Sequence, residues 1–364
     1  LTERIQSSFF EDGSAASLHS HPSDHSLRRR ALIVVAALVA LSAAGILFAC
    51  MTGSVALPLA DVAAAAGELM RGSGTNPASS MAASLLDLRW SRALTAYSTG
   101  ASLALAGVMM QALLRNPLAD PYVLGISGGT AVGALAAMLF ATAAWTVDAA
   151  ALCGALTVSL LLYALARRDL RSGLAAEGGS SLLLLTGVIL SSGCMALVAL
   201  MLSIAPEGRL RGMVFWLIGD LSGTEARMLP WLVLIAAFVF AVRAARAVNL
   251  MAMHGEAAAA LGIRVAALRQ GLFLCAGALT ASAVTGAGSI GFVGLIVPHA
   301  CRFAFGPDHR LLMPASALAG GTFLVVADTL ARTVVAPQQL PVGVLTALIG
   351  VPAFLLQLHH IRRK

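Results

Sequence analysis

The stretch GLFLCAGALTASAVTGAGSIGFVGLIVPHACRFAF, residues 271–305, decides how many times this chain crosses a membrane. Its 35 residues hold a single cation, Arg302. As one straight helix it would be about 52 Å long, too long for one crossing of roughly 30 Å of hydrocarbon and short for two. Gly286, Gly288, Gly291 and Gly294 permit a tight reversal near Ala287–Ser289, and charge selects it. With two crossings, Arg302 and Arg310 join the side that carries Arg28–Arg30, Arg167, Arg168, Arg171, Arg243, Arg246 and the terminal Arg362-Arg363-Lys364. That side then holds 17 of the 24 cations, which makes it cytoplasmic, with both termini inside. A single crossing would export Arg302, Arg310 and the basic C-terminus.

The composition requires a membrane. Mean hydropathy is +0.86 and 11% of residues are charged, against about 25% in soluble domains. Uncharged runs of helical span length recur along the chain, which excludes the short alternating strands of a barrel. The predicted fold is all-α with ten spans, at 31–52, 93–114, 122–141, 144–166, 182–204, 229–248, 270–286, 289–305, 311–333 and 340–359. Residues 1–30 read as a polar, disordered cytoplasmic tail, 31–360 as one polytopic domain, and 361–364 as a basic cytoplasmic end. The apolar run after the tail is too long and begins too late for a cleaved signal peptide. Five isolated cysteines in apolar surroundings suggest neither disulfides nor zinc. The net charge of +7 comes from arginines at span ends, so nucleic acid is not an expected partner.

A second stretch, RNPLADPYVLGISGGTAVGA at 115–134, breaks the apolar pattern with Asn116-Pro117, Asp120-Pro121 and four glycines. The prolines predict a short cytoplasmic turn at 116–121. The glycines suit either close helix packing or a cavity-lining segment. This stretch resembles the signature of the permease subunits of bacterial ABC importers for cobalamin, haem and ferric siderophores, the FecCD/BtuC-like, type II family. Further matches follow in the family's order: LLLLTGVIL (182–190), FWLIGDLSG (215–223, an outer re-entrant segment), GSIGFVGLIVPHACRF (288–303), DHRLLMPASALAGGTFLVVADTLAR (308–332) and LPVGVLTALIGVPAFLL (340–356). The resemblance implies ten helices per subunit in a homodimer of the bacterial inner membrane, with the pathway at the subunit interface.

Residues 249–270, with Glu256, Arg264 and Arg269, read alone as an amphipathic surface segment. The resemblance makes them the coupling loop that docks an ATPase, through Glu256, Ala258, Leu261 and Gly262. His254-Gly255 departs from the family pattern, and His254 is not carried over. No G-x-x-x-x-G-K-[ST] occurs and the only lysine is Lys364, so the chain has no phosphate cradle of its own. ATP and Mg are expected on two partner ATPase subunits, with no cofactor or metal in this chain.

Arg89 and Arg92, at i, i+3, and Asp328 with Arg332, at i, i+4, read from spacing as interfacial anchors and helix support. The resemblance assigns Arg89, Arg92 and Arg332 to docking of a periplasmic substrate-binding protein. It also places Ser127, Gly128, Gly129 and Thr186 at the pathway's gate. Pro298-His299, Arg302 and Asp308-His309-Arg310 surround a cytoplasmic turn, where helix capping explains them better than metal ligation. Two alternatives remain: an intramembrane enzyme using Asp148, Asp328 or His299, and a secondary transporter, which would need a charged group at the midplane. Neither accounts for the coupling segment.

Overall fold

Alanine, leucine and methionine run with few breakers from Met81 to Leu114, and they form one 34-residue helix around which the other elements pack. The computed structural model describes residues 24–53, 62, 67, 81–140, 143–171, 179–222, 227–253 and 255–361. The central helix is α2. Preceding it is α1 (Asp24–Met51); following it are a 3-10 turn (Pro121–Leu124), α3 (Ile126–Phe140), α4 (Ala144–Arg171), α5 (Gly179–Ile204) and α6 (Glu207–Ile218). The chain continues through α7 (Met228–Met253), α8 (Gly255–Ala260), α9 (Val265–Ala287), α10 (Val293–Phe305), α11 (His309–Thr333) and α12 (Val342–Ile361). No strand occurs among the described residues. Among the described residues, seven helices are long and apolar enough to cross a membrane. With the shorter apolar helices Ile126–Phe140, Val293–Phe305 and Val342–Leu356 they account for the ten expected spans.

Small residues set the packing. Gly100 of α2 lies against Gly320 of α11, where a Cβ on Gly320 would stand 2.6 Å from the Gly100 carbonyl oxygen. Gly129 of α3 meets Gly154 of α4 in the same way, also at 2.6 Å. Such contacts let backbones approach where hydrocarbon offers no hydrophobic drive for association.

Along α2, Arg92 and Arg115 are 23 residues apart, about 35 Å of helix, and these two cations mark its polar limits. The Arg115 end turns through a reversed cap: Asn116 N–H bonds the Gln111 carbonyl at 3.1 Å and Arg115 takes φ +49°. A non-glycine residue in that conformation is strained.

Three sequence expectations need correction. Residues 116–121 do not stay at the Arg115 end. Pro121 reaches Gly294, whose Cβ would lie 2.8 Å from the proline ring and 2.9 Å from the Leu103 carbonyl oxygen, about midway between Arg92 and Arg115. The segment therefore climbs back into the bundle, and α3 is a half-length helix of 15 residues. Proline stops a helix without dictating the direction of the chain that follows. The expected reversal between α9 and α10 is present, but the coupling segment is shorter than 249–270, because α7 runs on to Met253 and α9 starts at Val265. The first helix starts at Asp24 and so absorbs the end of the expected tail, while its apolar span, Arg29–Met51, agrees with the expected 31–52. Residues 1–23, His254 and 362–364 lie outside the described residues.

Candidate functional site

At the Arg92 end, two arginines from two helices face one acid, and a third, Arg89, serves the end of α1. Arg92 Nε donates to both oxygens of Asp328 (3.1 and 3.0 Å) and its Nη2 to Oδ1 (2.8 Å), while Nη1 reaches Gln339 Oε1 at 2.9 Å. Arg332 Nε stands 3.2 Å from the other Asp328 oxygen. Arg332 Nη2 also donates to the Ala49 carbonyl at 3.3 Å, and Arg89 Nη1 to the carbonyls of Cys50 and Met51 at 3.1 and 3.3 Å. Those carbonyls belong to the last turn of α1, which has no intrahelical donors for them, so two neighbouring helices cap it with charge of the favourable sign. Arg89 and Arg332 are 6% and 5% exposed, and the Arg92 side chain is 11% exposed. Of the three arginines expected at an outer docking face, Arg89 and Arg332 thus turn inward, while Arg92 stays partly exposed. The i, i+4 reading of Asp328 and Arg332 is correct but incomplete, since spacing cannot reveal Arg92, 236 residues away.

Toward the middle of the bundle, four interrupted helices meet. α6 ends at Gly219, whose carbonyl accepts Gly343 N–H at 3.3 Å, and Asp220 N–H bonds the Ala287 carbonyl at 3.0 Å. Tyr122 Oη donates to the Ile290 carbonyl at 2.9 Å and accepts Ile290 N–H at 3.1 Å. Ser127 Oγ lies 3.1 Å from Ser289 Oγ. Broken backbone at this depth is tolerated because these groups satisfy one another. Beside the node an open cavity of about 350 Å3 is lined by Asp120, Tyr122, Val123, Gly291, Phe292 and Leu295.

Of the residues expected at a gate, Ser127 sits in this node. Gly128 and Gly129 are buried packing positions: a Cβ on Gly128 would lie 2.9 Å from Cys194 Cβ of α5, and Gly129 abuts α4. Thr186 is half-buried on α5 and returns its hydroxyl to the Leu182 carbonyl at 2.8 Å.

At the Arg115 end, α8 carries Glu256 and Ala258 and closes with a reversed cap. Gly262 N–H bonds the Ala259 carbonyl (2.9 Å) and Ile263 N–H the Ala258 carbonyl (3.1 Å), with Gly262 at φ +83°. That bond pattern requires the left-handed conformation that glycine adopts freely, which explains the Leu-Gly pair in the motif. Ala258 is 1% exposed and packs into the core, whereas Leu261 is 68% exposed. The loop is therefore anchored by Ala258 and presents Leu261. Sequence reasoning missed two residues here, Arg115 and Asn249. Arg115 Nη2 donates to the Met251 carbonyl at 2.9 Å, and Asn249 bonds Asp308 and His309. The available signal was a lone amide within AVNLMAM, 247–253. Asp308 caps α11 as expected, accepting Arg310 N–H at 2.9 Å. The other acid weighed for membrane chemistry, Asp148, is paired with Arg227 at 2.7 Å.

Comparison with known proteins agrees with this architecture. The model of the FecCD transport family matches residues 33–360. The chain is 41% identical over 274 residues to the cobalamin import system permease protein BtuC of Halobacterium salinarum, covering 74% of this chain and 71% of that one. It is 37% identical over 278 residues to the hemin transport system permease protein HmuU of Yersinia pestis, covering 74% and 81%. Among solved structures, one described as a metal-chelate type ABC transporter in an inward-facing conformation superposes with a TM-score of 0.75 at 27% identity, over 90% of this chain and 99% of that one. PsaBC from Streptococcus pneumoniae gives 0.53 at 17% identity, over 80% and 94%, a likeness of fold alone.

Proposed function

The chain belongs to the FecCD transport family and is a multi-pass permease subunit of the ABC-transporter kind; from that premise we propose that it moves a metal chelate such as haem, cobalamin or a ferric siderophore inward, driven by a separate ATPase. The observation that carries the ATP-driven reading is α8, a short helix between two spans, anchored through Ala258 and ended by a glycine cap that presents Leu261. An exposed leucine beside a soluble turn suits a hydrophobic cleft on a partner. The Arg115 end is then cytoplasmic and the Arg92 end periplasmic, consistent with the distribution of cations.

The relatives' cargoes, cobalamin and haem, support the substrate class. A second copy of the chain would cover the exposed apolar side of α5, including Leu185, Ile189, Met195 and Leu200, and leave a pathway along the shared axis. At the periplasmic end we assign contact with a substrate-binding protein chiefly to Arg92, the most exposed of the three arginines, while Arg89 and Arg332 hold α1 beside it. A secondary transporter would have no use for a docking element such as α8 with its exposed Leu261.

The test is reconstitution with an ATPase and a binding protein in liposomes, with uptake of haem, cyanocobalamin and a ferric siderophore measured side by side. ATP-dependent accumulation of one of them is expected. Uptake driven by a proton or sodium gradient without ATP would overturn the reading.

A further inference from the structure

Asn249 lies in the last turns of α7, six residues before α8 begins. Its Nδ2 donates to Asp308 Oδ1 at 2.6 Å, and its Oδ1 accepts the His309 backbone N–H at 2.9 Å and His309 Nδ1–H at 2.7 Å. The partners fix the amide's orientation. Turned over, it would set its oxygen against the Asp308 carboxylate and its NH2 against a backbone N–H. Asp308 is also the N-cap of α11, so this one amide holds the first turn of that helix. Two residues on, the Met251 carbonyl is held by Arg115, whose strained backbone closes α2. The end of α7 from which α8 continues is therefore pinned to both α11 and α2.

From that joint α11 runs 25 residues, about 37 Å, to the periplasmic side. Its far end carries Asp328 and Arg332, bonded to Arg92 of α2 and to the end of α1. Between the two ends Gly320 sits against the Gly100 backbone and Thr322 Oγ1 against Ser42 Oγ at 2.8 Å, so α11 lies without slack between α2 and α1. A displacement of α7's cytoplasmic end must break the Asn249 bonds or carry α11 with it.

We propose that Asn249 is a positioning residue that joins the ATPase-facing helix α8 to α11, so that movement imposed at α8 reaches the periplasmic cluster around Asp328. The proposal rests on the importer reading and identifies the contact through which its two ends communicate. Spatial continuity alone does not establish energetic coupling, so a variant that breaks the contact is compared with one that keeps it.

Asn249→Asp keeps the acceptor for His309 and replaces the donor with a carboxylate facing Asp308. Asp308→Asn keeps the helix cap, since asparagine caps as well as aspartate. The amide oxygen of that asparagine can still accept from both Arg310 N–H and Asn249 Nδ2, as Asp308 Oδ1 does, so this variant also keeps the contact. Each is reconstituted with the ATPase, and ATP hydrolysis is measured with and without the binding protein. Asn249→Asp is expected to assemble and to hydrolyse ATP at the basal rate, but to lose at least fivefold in stimulation by the binding protein. Asp308→Asn should stay within twofold of wild type. A merely structural contact would change assembly yield and leave the stimulation ratio of assembled complexes untouched. Wild-type stimulation in Asn249→Asp, or an equal loss in Asp308→Asn, overturns the proposal. If Asn249→Asp does not assemble, Asn249→Ala is judged by the same ratio, and an unchanged ratio there overturns it equally. A wild-type complex in which the binding protein changes nothing would instead refute the importer reading beneath it.

Discussion

Arg92 of α2 and Asp328 of α11 are joined by three hydrogen bonds of 2.8–3.1 Å, and the Asp328 side chain is 2% exposed. Two guanidiniums from different helices face this buried carboxylate. Removing one member of such a buried pair costs about 3–5 kcal/mol, since the partner stays behind uncompensated. Asp328→Asn should therefore lower the unfolding temperature of the detergent-solubilised protein clearly, while Asp87→Asn, at an exposed position of the same end, should not. Equal unfolding temperatures would show that the cluster contributes little to holding α2, α11 and α1 together.

The same geometry separates the three arginines in their dealings with a binding protein. Arg89→Gln and Arg332→Gln remove the donors to the last carbonyls of α1 and should reduce folded yield, leaving the affinity of surviving molecules unchanged. Arg92→Gln leaves Asp328 without its main partner and should lower folded yield as well, but it alone should weaken association in the surviving molecules. A partly exposed pair is worth roughly 0.2–1 kcal/mol, so the loss is about fivefold at most, mainly in on-rate, and it should shrink at high salt. Affinity measured on immobilised permease at two salt concentrations decides the matter. An equal loss for all three variants would return them to a single docking surface.

Gly128 gives a prediction in which packing and pathway lining differ. If it is a packing position, Gly128→Ala drives a methyl against Cys194 Cβ at 2.9 Å and costs about 1–3 kcal/mol as overpacking. Adding Cys194→Gly removes the obstructing atom and should restore thermal stability. Adding Cys194→Ala leaves that Cβ in place and should not. Normal stability with slowed uptake in Gly128→Ala would favour a pathway role.

The residues that were legible in the sequence are those whose role depends on local chemistry. Gly288, with φ +70°, marks the reversal inside 271–305, and the cations on either side establish that the run turns back. Asp308 is legible as a cap because its acceptor lies two residues from the donor it serves. What was not legible depends on contacts across hundreds of positions. Pro121 announces a break, but only its contact with Gly294 shows that the chain climbs to mid-depth. Arg89 at a helix end has the same local appearance whether it faces water or caps α1, and the carbonyls it serves are 38 and 39 residues away. The motif at 256–262 was readable as a unit, yet the division between anchor and contact needed burial: Ala258 faces inward and Leu261 outward.

That division allows the fold of the coupling loop to be tested apart from its docking. Gly262 stands at φ +83°, and a Cβ added there would meet no atom within 4 Å, so any cost of Gly262→Ala is conformational and not steric. An L-residue in the left-handed region costs roughly 1–2 kcal/mol, enough to fray a six-residue helix held by one cap. Gly262→Asn, which tolerates this conformation better, should lose less than Gly262→Ala. Leu261→Asp changes an exposed side chain and leaves the cap intact, so the permease should fold and insert at wild-type level but fail to retain its ATPase. The measurements are protease susceptibility of the loop in the purified permease and the yield of co-purified ATPase. The expected pattern is a more susceptible loop and reduced ATPase for Gly262→Ala, an intermediate result for Gly262→Asn, and a resistant loop with little ATPase for Leu261→Asp. Full retention of the ATPase by Leu261→Asp would move the docking contact off this residue and onto another part of the loop.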